Sequence, residues 1–115
     1  MTRKPWGSEQ IIFEAGQARV KLLRVKPGKR TSKQFHREKQ EAMMLISGCA
    51  ILSGEIMSPG VIHKININEA HRLVGVGTHE AVILEMAHGS DEDIVRLADD
   101  FGRATTTATQ PARGQ

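Results

Sequence analysis

The chain has no tyrosine, and Trp6, Phe13, Phe35 and Phe101 are its only aromatic residues. Sequence-tolerant binding of single-stranded nucleic acid stacks bases on aromatic rings, so that function lacks a platform. Charge of one sign is also missing. Sixteen Lys and Arg stand against 13 Asp and Glu, a formal charge of +3, and the two signs are interspersed; this excludes the basic patch of a nucleic-acid partner. Cys49 is the single cysteine, so no intrachain disulfide forms and no oxidising compartment is needed. No apolar run approaches the ~20 residues of a membrane-spanning helix. The opening MTRKPWGSEQ lacks the apolar stretch of a signal peptide. The expectation is a cytoplasmic protein with no membrane partner.

What is present fits one domain: 115 residues bury roughly two thirds of their unfolded surface. The apolar residues come in short runs closed by turn signals: Val20 to Val25 before Pro27-Gly28, Met43 to Ile46 before Ser47-Gly48, Ala50 to Leu52 before Ser53-Gly54, Ala81 to Met86 before Gly89. Many short strands with turns at regular spacing predict an all-β sandwich or barrel. Ser90 to Arg103 differs. Ser90 or Asp91 can cap a short helix, and Ile94, Leu97 and Ala98 share a face at helical spacing, so this segment reads as a short helix or a loop. Residues 104–115 are polar and of low complexity and read as a disordered tail.

The chemistry concentrates between Gly28 and Gly48, where Gln34, His36 and Glu41 occur in one hairpin-sized segment. Residues two apart on a strand point the same way, so Gln34 and His36 can face a common point and Glu41 can return beside them. His71, eleven residues after Gly60, supplies a fourth group. Two imidazoles, a carboxylate and an amide oxygen suit one divalent transition metal (Zn, Mn, Co, Ni or Fe(II)) better than Ca or Mg. Taken singly, each of these residues also reads as an ordinary satisfied polar residue on a half-exposed strand.

The segments KPWGSEQII, PGKRTSKQFHREKQEAMMLISG, Gly60 to Arg72 and DIVRLADDFGR together resemble the cupin superfamily. More narrowly, they resemble the cupin domain of type II mannose-6-phosphate isomerases and their small single-domain relatives, over residues 4–103. The resemblance implies a double-stranded β-helix, or jelly-roll barrel, with a metal held by Gln34, His36, Glu41 and His71. It implies a sugar-phosphate partner, aldose–ketose isomerisation between mannose 6-phosphate and fructose 6-phosphate, and a homodimer with residues 8–14 as the shared strand. The QxH form of the first motif points to sugar-phosphate isomerases. The chain departs from the family pattern at Lys39, where an arginine is usual, at Ala98 for an acid, at Phe101 for a tyrosine, and at Asn66 and Asn68 for a proline and a glycine. It shows no glycine-rich nucleotide loop, so GDP-mannose synthesis is not expected.

Under this resemblance the proton-transfer candidates are Lys39, His63 and Arg96, with Glu41 if it does not ligate. Phosphate recognition falls to Lys39, Arg72, Arg96 and Arg103. The alternative roles stay open. His63 also reads as an edge histidine, and Arg96 and Arg103 as partners of Asp93, Asp99 or Asp100. Trp6 reads as a packing plug more than a sugar platform, Met43, Met44, Met57 and Met86 as core filling, and Cys49 as buried and inert. Two other functions share these ligands: a non-catalytic metal- or sugar-binding cupin, and an Fe(II) dioxygenase.

Overall fold

In the computed structural model, residues 1–103 are described, and the expected tail at 104–115 lies outside them. Their strands, in chain order, are β1 (Thr2–Lys4), β2 (Gly7–Ala15), β3 (Ala18–Val25), β4 (Lys33–Phe35), β5 (Gln40–Ser47), β6 (Cys49–Leu52), β7 (Glu55–Ile56), β8 (Ile62–Ile65), β9 (Leu73–Val76), β10 (Ala81–His88) and β11 (Val95–Ala98). The first layer is a six-stranded antiparallel sheet in the order β1-β2-β3-β10-β5-β8. The second is built from β7-β6-β9 and β4-β11, joined where Arg30 bridges to Val74 and Gln34 to His71. The two layers face each other as a double-stranded β-helix, the expected jelly roll.

The first sheet shows why this sequence closes over a core at one end and a polar cavity at the other. Its inward positions alternate with outward ones along each strand. Leu23, Ile83 and Leu45 are cross-strand neighbours, as are Val25 and Ala81, and all five are buried. Leu52, Leu73, Met57 and Trp6 pack onto the same cluster; fully burying a side chain of this size stabilises by ~1.5–3 kcal/mol. Two residues further along the strands the inward row becomes Lys21, Glu85, Met43 and His63, and the next becomes Arg19, Ala87, Glu41 and Ile65. The apolar stripe thus turns ionic toward the mouth of the barrel.

Gly48 makes the sharp turn from β5 into β6. It sits at φ +78°, and a Cβ there would lie 2.5 Å from the Glu80 carbonyl oxygen, so only glycine fits. Asn68, where the family pattern has glycine, adopts φ +66°, a left-handed conformation that asparagine tolerates.

Three expectations are corrected. Ser90 to Arg103 forms no helix. Val95 pairs with Phe35 and Arg96 with Gln34, because β4 offers an unpaired edge whose ladder outweighs a weak helical spacing. Cys49 is exposed: Ala50 takes the inward position, and strand alternation turns its neighbour out. Met43 and Met57 fill the core, but Met44 and Met86 lie half-buried on the outer face, one position out of phase with it. Among the described residues no helix is long and apolar enough to cross a membrane.

Candidate metal centre and its cavity

His36, Glu41 and His71 are each at most 5% exposed. They reach one point from three places: the turn after β4, the start of β5, and the segment before β9. Glu41 Oε1 lies 3.1 Å from His36 Nε2 and 3.2 Å from His71 Nε2, and one ligand atom from each residue falls within 4.8 Å of the others. The far side of each ring is fixed as well. His36 Nδ1 donates to the Asp93 carbonyl and His71 Nδ1 donates to the Glu69 carbonyl at 3.0 Å. A ring whose Nδ1 carries the donated proton presents Nε2 as a lone pair. Two such lone pairs and a carboxylate oxygen repel one another unless a positive charge sits among them, carried by protons or by a metal cation. Backbone carbonyls behind the histidines are the usual orienting partners of metal-ligating imidazoles, so the residues fit a metal.

Gln34 stands directly opposite His71, with reciprocal backbone hydrogen bonds of 3.0 and 2.8 Å, and Arg96 stands opposite Gln34 on the other side. Directly opposed residues share a face, so His71, Gln34 and Arg96 form one row across the second sheet. All three line the cavity. The Gln34 amide nitrogen donates to Ser32 Oγ at 2.9 Å, which leaves the amide oxygen for ligation.

The cavity holds about 230 Å³ between the two sheets. Trp6, Leu23, Met43 and Leu73 make its apolar floor, and its cations are Lys4, Lys21, Lys39, Arg96 and Arg103. Lys39 Nζ lies 3.1 Å from Glu41 Oε2. Burial alone would raise the Glu41 carboxyl, but hydrogen bonds from the two imidazoles, when their Nε2 atoms carry protons, and the Lys39 ammonium hold it far below the usual carboxylate range. Glu85 goes the other way. Buried on β10 beside Glu41, its carboxyl is pushed up to about 8.

Asp93 organises the approach. Its carboxylate accepts the backbone N–H groups of Arg37, Glu38 and Lys39 at 3.0, 2.7 and 2.8 Å, while its carbonyl holds His36. One residue thereby sets both the turn that presents Lys39 and Glu41 and the tilt of the first histidine.

The other sequence candidates are placed as follows. Arg72 does not line the cavity; its guanidinium donates to the Thr31 and Ala98 carbonyls and ties the second layer together. Arg103 lines the cavity with its guanidinium held by Asp99 at 2.9 and 3.1 Å. His63 faces inward beside Met43 but is not among the lining residues. Lys4, Glu9, Lys21, Glu85 and Asp91 are charged cavity groups that were not candidates from sequence. A lysine and a glutamate at inward positions of otherwise apolar alternating strands were the available signal.

Comparison with known proteins identifies the family and the fold. The family described as mannose-6-phosphate isomerase C-terminal matches residues 1–99. The alginate biosynthesis protein AlgA of Pseudomonas aeruginosa is 33% identical over 96% of this chain and 24% of its own length. This chain thus spans about a quarter of the curated relatives it matches. Among solved structures, the capsular polysaccharide assembling protein CapF of Staphylococcus aureus superposes with a TM-score of 0.75 at 18% identity, over 85% of this chain and 34% of that one. A sugar phosphate isomerase from a cupin superfamily, from Silicibacter pomeroyi, superposes with a TM-score of 0.60 at 20% identity, over 80% of this chain and 73% of that one.

Proposed function

The chain belongs to the mannose-6-phosphate isomerase C-terminal family, a branch of the cupins, and from that premise we propose a metal-dependent aldose–ketose isomerase acting on a sugar phosphate of the mannose 6-phosphate type. The observation that carries the reading is the convergence of His36 Nε2, His71 Nε2 and Glu41 Oε1 beside a charged cavity that Glu41 and His71 line. His36, Glu41, His71 and Gln34 would hold one divalent transition metal. Once bound, it supplies a Lewis acid that polarises the sugar carbonyl.

The chain's own residues do the rest. Isomerisation moves a proton between C1 and C2 of the open-chain sugar through an enediol, which requires a general acid–base group in reach. The acids around Lys39 more than offset its burial, so its ammonium stays charged. It therefore serves as a fixed cation rather than as a base. Glu85 lines the cavity beside Glu41 and is the carboxyl placed to exchange the proton. Arg96, in the row with Gln34 and His71, faces the same space. The floor of Trp6 and Leu73 keeps water from that end. Lys39, Arg96 and Arg103 supply positive charge for the phosphate.

A homodimer completes the proposal. β1 covers β2 only at Gly7, Ser8 and Glu9, so beyond Glu9 the outer edge of β2 is open along a stretch where Ile11, Ile12 and Phe13 are about half exposed. Such an edge is a template for strand pairing with a second copy.

The test is a coupled assay of mannose 6-phosphate conversion to fructose 6-phosphate with metal-reconstituted protein. Metal-dependent turnover that falls at least ~100-fold in Glu85→Gln supports the isomerase. Ala98, where the family carries an acid, favours the other reading, a sugar-binding cupin; stoichiometric metal and sugar-phosphate binding without turnover would establish it.

A further inference from the structure

The wall of the cavity formed by β3 and the turn before β5 carries a feature that metal chemistry leaves unused. Lys21 and Lys39 are 5% and 6% exposed; each has its own carboxylate partner, Glu9 at 3.2 Å and Glu41 at 3.1 Å, and both ammonium groups also meet on one shared carboxylate. Asp91 Oδ2 is 2.8 Å from Lys21 Nζ and Asp91 Oδ1 is 3.3 Å from Lys39 Nζ. The Arg19 guanidinium stands 3.6 Å from the same Oδ1. One oxyanion with a separate cation on each oxygen is how a protein holds a small anionic group by charge-assisted hydrogen bonds.

The lysines are built into the barrel and the carboxylate is not. Asp91 lies on the segment between β10 and β11, and its side chain is 38% exposed. That segment begins at Gly89, at φ +128°, where a Cβ would lie 2.8 Å from Lys39 Cα, so the chain there rests directly on Lys39. Arg103 differs. Its partner Asp99 has a fully buried side chain and also accepts the Arg103 backbone N–H at 2.6 Å, so that pair is fixed. Burial would lower the Lys21 ammonium, but Asp91, Glu9 and Glu85 more than offset it. Without Asp91, Lys21 would keep only Glu9 and Lys39 only Glu41 as carboxylate partners.

We propose that Lys21 and Lys39 form the subsite for the phosphate monoester group of the substrate, and that Asp91 is its resident carboxylate, displaced toward solvent when the phosphate enters. The identity of the ligand rests on the sugar-phosphate reading; the subsite itself is read from binding alone. Exchange replaces one negative charge by between one and two, in a place where cations already wait. Asp93, two residues further along the same segment, holds His36, so the entering phosphate acts on the segment that orients the metal centre.

Inorganic phosphate is the probe. Its affinity is measured by calorimetry for the wild type, Asp91→Ala, Asp91→Asn and the double variant Asp91→Ala/Lys21→Met, each with chelator and again with Zn(II). Thermal stability is recorded alongside. The expected result is binding about tenfold tighter in Asp91→Ala than in the wild type, an intermediate gain in Asp91→Asn, and loss of the gain in the double variant, in chelator as with metal. Mannose 6-phosphate should compete and mannose should not. A lowered Tm with no gain in phosphate affinity in either single variant would mean that the cluster only fastens the segment, and would overturn the proposal. Phosphate binding that needs metal and ignores Lys21 would overturn it too. Inactivity in the isomerase assay with the gain intact would remove the isomerase and leave the subsite standing.

Discussion

Replacing Asp93 by alanine removes three hydrogen bonds from a charged acceptor to the backbone of residues 37–39. Hydrogen bonds to charged groups contribute ~1.5–3 kcal/mol each, but this carboxylate faces solvent, and water replaces part of what is lost. A net cost of about 2 kcal/mol follows, or roughly 8 °C in Tm for a domain of about 100 residues. The pH dependence carries a signature. The N–H groups of Arg37, then Glu38 and Lys39, hold the Asp93 carboxyl below its ordinary 3.8. A depressed carboxyl contributes stability that is fully present above the unfolded value and is lost as pH falls through the folded one. The gap between wild type and Asp93→Ala should therefore be constant from pH 5 to 8 and shrink below about pH 4. Because the turn also presents Glu41, and the Asp93 carbonyl orients His36, metal affinity should fall about tenfold. Urea titrations across pH, with a metal titration at pH 7, make the test. An equal gap at pH 3 and pH 7, or no gap at all, would refute the capping argument.

Gly48→Ala should cost about 3 kcal/mol, read as a lower urea midpoint, because a positive φ and a carbonyl 2.5 Å from the new Cβ leave it no room. His63→Ala should keep the full metal content and the affinity for phosphate, since the cavity does not include His63; loss of either would return it to the site. Phe13→Lys, on the open part of β2, should turn a dimer into a monomer by sedimentation, and a wild type already monomeric would remove the shared-strand proposal.

The jelly roll was legible because its strands are short and end at turn residues whose chemistry is local. The residue types that gather at His36, Glu41 and His71 were visible in the sequence, but His36 lies in the turn after β4 and His71 before β9, so closure of the barrel, more than strand alternation, brings their rings to Glu41. Groups made by partners distant in sequence were less so. Lys21 and Glu85 look like solvated charges until β3 and β10 are seen side by side, which places them in the same inward row. Asp91 looks like a helix cap until the segment carries it back to Lys21, 70 residues away. The C-terminal segment was misread for a related reason. Ile94, Leu97 and Ala98 show helical spacing, but the pairing that decides their state comes from β4, and no local signal reports an open edge elsewhere in the chain. Cys49 failed on phase alone: a one-residue shift in alternation exchanges inside for outside.

The central claim is that His36, Glu41 and His71 hold a metal, and its most direct test is elemental analysis of protein purified without an affinity tag or chelator. The wild type is compared with His71→Ala and Glu41→Gln, each checked for fold by circular dichroism. The account predicts close to one equivalent of a divalent transition metal in the wild type and a small fraction of that in both folded variants. A wild type that stays empty after reconstitution with Zn, Mn, Co, Ni and Fe(II), or a folded His71→Ala that keeps a full equivalent, would contradict it.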